Sequence, residues 1–136
     1  MAAVLHCDDE LMSRTALIVD DHRLFRASAR MLLESEGFDV VGEAADGAEA
    51  VSEAHRLQPD VLVLDVQLPD MTGFEVARSL LDSGLNCQVV LVSSRHASEY
   101  GALVDLSGVL GFIAKDELSG PALQRVLGIG GRHESQ

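Results

Sequence analysis

Ala16-Leu17-Ile18-Val19-Asp20-Asp21 is an unbroken apolar run stopped by two carboxylates. Three more stretches repeat the form: Val61 to Leu64 runs into Asp65, Val89 to Val92 into Ser93-Ser94, and Val109 to Ala114 into Lys115. Runs this short and this continuously apolar suit strands covered on both faces. Lys115 stands out because it is the single lysine of the chain, the other nine basic residues being arginine. A lysine is a compact point charge on a flexible stem, suited to reaching one oxyanion in a crowded pocket. Four strands thus deliver three carboxylates, hydroxyls and one ammonium to what can be a single edge.

Outward from those runs, apolar segments alternate with amphipathic ones along the chain, which is the pattern of an α/β domain with a parallel sheet. Strands are predicted over 15–19, 38–44, 61–65, 88–93 and 111–114, and helices over 23–35, 48–57, 73–81, 99–106 and 121–127. In the first helix Leu24, Ala27 and Met31 fall at helical spacing and predict its apolar stripe. Gly37 and Pro59 punctuate the ends of the first two helices, and Ser98 is the N-cap expected for the fourth.

A chain of 136 residues with 47% hydrophobic composition is long enough for one domain with its own core. The opening residues carry Asp8-Asp9-Glu10 where a leader would carry basic residues, so a cytoplasmic chain is expected. Cys7 and Cys87 have no paired spacing and are expected as reduced thiols. The formal charge of −12 argues against direct contact with nucleic acid or an anionic membrane. The expected organisation is a flexible extension over 1–14, a folded domain over 15–127, and a tail or linker over 128–136.

In open parallel sheets, ligands bind beyond the carboxyl ends of the strands. Carboxylates converging there repel one another, and a divalent cation relieves the repulsion. Magnesium suits oxygen donors of this kind, whereas no histidine or cysteine pair has the spacing zinc requires. An aspartate can also act as a covalent phosphoryl acceptor. Capping of the first helix is the plainer reading of Asp20-Asp21. His22, His55, His96 and His133 are scattered, and Gly42 and Gly47 mimic half a phosphate loop without its lysine and hydroxyl.

Read in order, Leu17-Ile18-Val19-Asp20-Asp21-His22, Asp65-Val66-Gln67-Leu68-Pro69-Asp70-Met71-Thr72-Gly73, Val92-Ser93-Ser94 and Gly111-Phe112-Ile113-Ala114-Lys115-Asp116 resemble the receiver domains of response regulators. The Asp-Asp-His opening and the Lys115-Asp116 pair are most similar to the NarL/FixJ subfamily. The resemblance implies a flavodoxin-like five-stranded parallel sheet in the order 2-1-3-4-5, with five flanking helices. It implies Asp65 as phosphoacceptor for a sensor histidine kinase, and magnesium held by Asp20, Asp21, Asp65 and the Gln67 carbonyl. Lys115 and Ser93 would meet the phosphoryl group, Ser93 and Phe112 would form the switch, and Gln67 and Arg95 would modulate phosphoryl lifetime. An output domain or downstream protein would read the result, and a second copy could pair through helix 99–106, the fifth strand and the fifth helix. Such a protein catalyses only its own phosphorylation and dephosphorylation. An unphosphorylated binding module of the same fold is the alternative. An aspartyl phosphatase would want a second carboxylate where Gln67 stands.

Overall fold

The computed structural model describes residues 14–94 and 111–128. Its strands are β1 (Thr15–Val19), β2 (Asp39–Ala44), β3 (Val61–Asp65), β4 (Gln88–Ser93) and β5 (Gly111–Ala114). They form one five-stranded sheet in the order β2-β1-β3-β4-β5, with every neighbouring pair parallel. Four helices are described: α1 (Arg23–Ser35), α2 (Gly47–Leu57), α3 (Gly73–Asp82) and α4 (Gly120–Leu127). The α/β class and strand order match the expectation. The helix expected over 99–106, its Ser98 cap, Arg95, and most of the two terminal segments lie outside the described residues.

Successive side chains of a strand point to opposite faces, and the core divides accordingly. On one face Ala16, Ile18, Val61, Val63, Val90 and Val92 pack with Ala29 and Leu33 of α1 and Leu123 of α4. On the other, Leu17, Val19, Leu62, Leu64 and Leu91 pack with Ala54 of α2 and Leu80 of α3. Covering both faces is why these strands read as solid apolar runs rather than alternating ones. Among the described residues no helix is long and apolar enough to cross a membrane.

The expected stripe of α1 is corrected. Leu24 and Met31 are 84% and 72% exposed, and Ala27 is exposed beside them. The helix instead buries Ala29 and Leu33, with Phe25 and Leu32 packed partly against the same cluster. Two apolar series at helical spacing coexist in this segment. The one with Phe25, Leu32 and Leu33 has more bulk to remove from water, and it faces the sheet.

Helix ends follow the local chemistry. Gly37 takes φ +95°, the Gly37 N–H donates to Glu34 O, and the Phe38 N–H donates to Leu33 O at 3.0 Å. This is a Schellman closure, and Phe38 and Leu33 join the same cluster, as that motif favours. Thr72 and Glu75 form a reciprocal capping box at the start of α3, while Asp46 and Ser119 cap α2 and α4.

Candidate functional site

Strand register assembles the site. Val19 pairs with Leu64, Asp65 with Val92, and Ser93 with Ala114. The residues just past those pairs, Asp20 and Lys115, therefore meet Asp65 and Ser93 at one edge of the sheet, beside the point where the strand order reverses. Asp20, Asp65 and Ser93 are 0%, 3% and 1% exposed, and they are the buried polar side chains of the described residues. All three sit at this edge.

Lys115 Nζ lies 2.6 Å from Asp20 Oδ2 and 3.4 Å from Asp65 Oδ2, so the cation leans toward Asp20. The closer contact is an ion pair without hydrogen-bond geometry, and Asp20 Oδ2 has no hydrogen-bond partner. Asp20 Oδ1 accepts from the His22 N–H at 2.8 Å. The His22 ring brings Nδ1 to 3.0 Å from Asp20 Oδ1 and 3.1 Å from Asp21 Oδ1. His22 is the N-cap of α1 and makes no side-chain cap bond. Asp20 thus turns one carboxylate oxygen to the His22 N–H at the helix entry and the other to Lys115 in the site.

Asp65 carries the electrostatic cost. Burial, then the neighbouring Asp20 charge, pushes its carboxyl up to about 6, and Lys115 and the Gln67 N–H only partly oppose the rise. The segment that follows is folded back tightly. Gly73 N–H donates to Val66 O at 2.6 Å, and a Cβ on Gly73 would lie 2.4 Å from the Asp65 carbonyl oxygen. Asp70 in the same loop accepts from the Gly47 and Ala48 N–H groups at 2.7 and 2.9 Å. These bonds fasten the loop to α2 and hold the Asp70 carboxyl below the usual range. Gly47 thereby serves the loop, not a phosphate cradle.

Asp20, Asp21, His22 and Asp65 each offer one ligand atom, all within 4.8 Å of one another. Three carboxylates facing one ammonium leave net negative charge in a pocket that burial makes hard to screen. The donor set fits a hard divalent cation. Phe112 is half-buried against the second cluster, opposite Leu91 in register, and Ser93 closes β4 one register step from Lys115.

Two residues that the sequence did not single out touch this site from α1. Arg26 Nη1 donates to the Asp20 carbonyl at 2.7 Å while its Nε donates to Glu43 at 2.9 Å. Glu43 also accepts from Arg30 at 2.9 Å. The Phe25 ring lies under Lys115, with Nζ 4.6 Å from the ring centroid. Their only sequence signal is proximity to Asp20 in the first turn of a helix, which says nothing about Lys115, far away along the chain.

Compared with known proteins, residues 16–126 match the response regulator receiver domain. The chain is 40% identical over 102 residues to the nitrate/nitrite response regulator protein NarP of Escherichia coli, covering 74% of this chain and 47% of that protein. The chain spans about half the length of the curated relatives it matches. The receiver domain of the putative response regulator NarL from Mycobacterium tuberculosis superposes with a TM-score of 0.73 at 34% identity, covering 85% of this chain and 98% of that one. A chain of the CheX-CheY complex with beryllium fluoride and magnesium from Borrelia burgdorferi superposes with a TM-score of 0.75 at 27% identity, covering 84% and 86%.

Proposed function

The chain belongs to the response regulator receiver domain family, and from that premise we propose that Asp65 accepts a phosphoryl group from the phosphohistidine of a sensor histidine kinase. One observation carries the reading: Asp65 is a buried carboxylate, reached by the chain's only lysine and flanked by two further carboxylates at the carboxyl edge of the sheet. An Asp65 oxygen attacks phosphorus, the P–N bond breaks as the P–O bond forms, and the kinase histidine, already protonated on its other ring nitrogen, leaves as neutral imidazole. In the metal-free site the carboxyl, raised to about 6, still leaves Asp65 mostly ionised at neutral pH, the form that can attack phosphorus.

Lys115, already 3.4 Å from Asp65 Oδ2, moves onto the phosphoryl oxygens and leaves Asp20 to the metal. Asp20, Asp21, Asp65 and the Gln67 carbonyl would hold magnesium, and the Asp20 oxygen without a hydrogen bond is what the donor set leaves for it. When bound, magnesium supplies positive charge against the phosphoryl oxygens. Ser93 turns its hydroxyl to the new dianion and Phe112 follows into the space, so that the surface of β5 and α4 changes for an output domain, a downstream protein or a second copy. Gln67 and Arg95 set the lifetime. The receiver unit spans 15–127 and works in the cytoplasm, without touching nucleic acid or membrane and without turning over an external substrate. The solved CheY complex with beryllium fluoride and magnesium supports this reading by analogy.

Incubation with a small acyl phosphate and magnesium is expected to add one hydroxylamine-labile phosphoryl group. Chelation of the metal and Asp65→Asn should each abolish it. Uptake that persists in Asp65→Asn overturns the assignment.

A further inference from the structure

We infer that Phe25 is a positioning residue for this site, its ring face holding the Lys115 ammonium over the carboxylates. The inference rests on the receiver reading above and deepens it. Lys115 Nζ stands 4.6 Å from the Phe25 centroid, inside the range where a cation and an aromatic face attract. The same ammonium is 2.6 Å from Asp20 and 3.4 Å from Asp65, and its side chain is only 16% exposed. Phe25 is packed partly against the core cluster that Ala29 and Leu33 complete. Its body is therefore fixed while one face remains for the cation.

Charge balance does not require the ring, because the carboxylates already outnumber the ammonium. What the ring supplies is place. A lysine stem is flexible, and Asp21, 38% exposed at the rim, offers its charge a competing position nearer water. A neutral attractive face fixed by the core keeps Nζ inside the site without adding another anion. Since the attraction extends to ~6 Å, Nζ can pass from Asp20 to a phosphoryl group on Asp65 and stay over the ring throughout. Phe25 thus sets where the ammonium waits and does not bind it more tightly than the transfer allows.

The test replaces Phe25 site-specifically with mono-, di- and trifluorinated phenylalanine, which keep the shape and progressively cancel the negative ring face. Asp65 phosphorylation by an acyl phosphate should slow in step, by roughly three- to fivefold across the series, with Phe25→Trp at or above the parent rate and Phe25→Leu at the bottom. A second readout uses the single lysine: lysine-selective 13C labelling gives one ε-methylene signal, expected upfield from the ring current and returned to its ordinary position in Phe25→Leu. Rates that are flat or rising across the fluorinated series, with phosphorylation still at Asp65, overturn the inference and leave Phe25 as packing alone. No phosphorylation of the parent chain overturns the receiver reading instead, and an ordinary lysine signal in that chain overturns the placement of Nζ independently of any chemistry.

Discussion

The two ends of the same sheet are built on opposite terms. At the amino end, Asp60 and Thr15 satisfy each other: the Thr15 N–H donates to Asp60 Oδ2 at 2.8 Å, and the Asp60 N–H donates to Thr15 Oγ1 at 3.0 Å. The Gln88 N–H donates to the Asp60 carbonyl at 2.9 Å, and Arg14 reaches the Gln88 side chain. Five residues further along β3, Asp65 is buried beside Asp20, and its carboxyl is pushed up to about 6. Asp60 is hydrogen-bonded at the surface, whereas Asp65 is buried among like charges. One aspartate closes the sheet and the other is held against its own ionisation. The proposed chemistry belongs to the end where the polar groups are left in conflict.

That contrast can be broken at several points. The largest effect is expected at Gly73, where a Cβ would meet the Asp65 carbonyl oxygen at 2.4 Å, a clash that only a backbone shift relieves. Gly73→Ala should cost about 2–4 kcal/mol of stability, read as a lower urea midpoint with unchanged slope. A loss below ~1 kcal/mol would show that the loop after Asp65 relaxes and that the edge is not held rigidly. A smaller effect belongs to the amino end. Asp60→Ala removes the acceptor of the Thr15 N–H and should cost about 1 kcal/mol, independently of magnesium. If this variant instead changed the response to magnesium, the two ends would be coupled and the contrast between them would fail.

Much of this was legible in the chain. Solid apolar runs ending in Asp20, Asp65, Ser93 and Lys115 announced a parallel sheet with its polar groups at one edge, because strand direction alone sends every run's last residue to the same side. The face of α1 was not legible. Leu24 and Met31 have the right spacing, and only the competing bulk of Phe25, Leu32 and Leu33 against the sheet decides which stripe turns inward. The contacts of Phe25 and Arg26 were hidden for a different reason. Both depend on how α1 crosses the end of the sheet, a tertiary fact that no local pattern encodes.

The direct test compares the thermal stability of the magnesium-free parent chain and Asp65→Asn, in the presence of a chelator, across pH. Because the folded carboxyl is raised to about 6 from an ordinary 3.8, the folded chain keeps between those values a proton that the unfolded chain has released. Its stability therefore falls as pH rises through that window. Asparagine carries no charge to bury. Asp65→Asn should thus be the more stable protein at pH 7, by on the order of 1–2 kcal/mol after allowing for solvent screening, with the difference closing toward pH 4. Equal or lower stability of Asp65→Asn at pH 7 would contradict the claim that this edge of the sheet is held in electrostatic conflict.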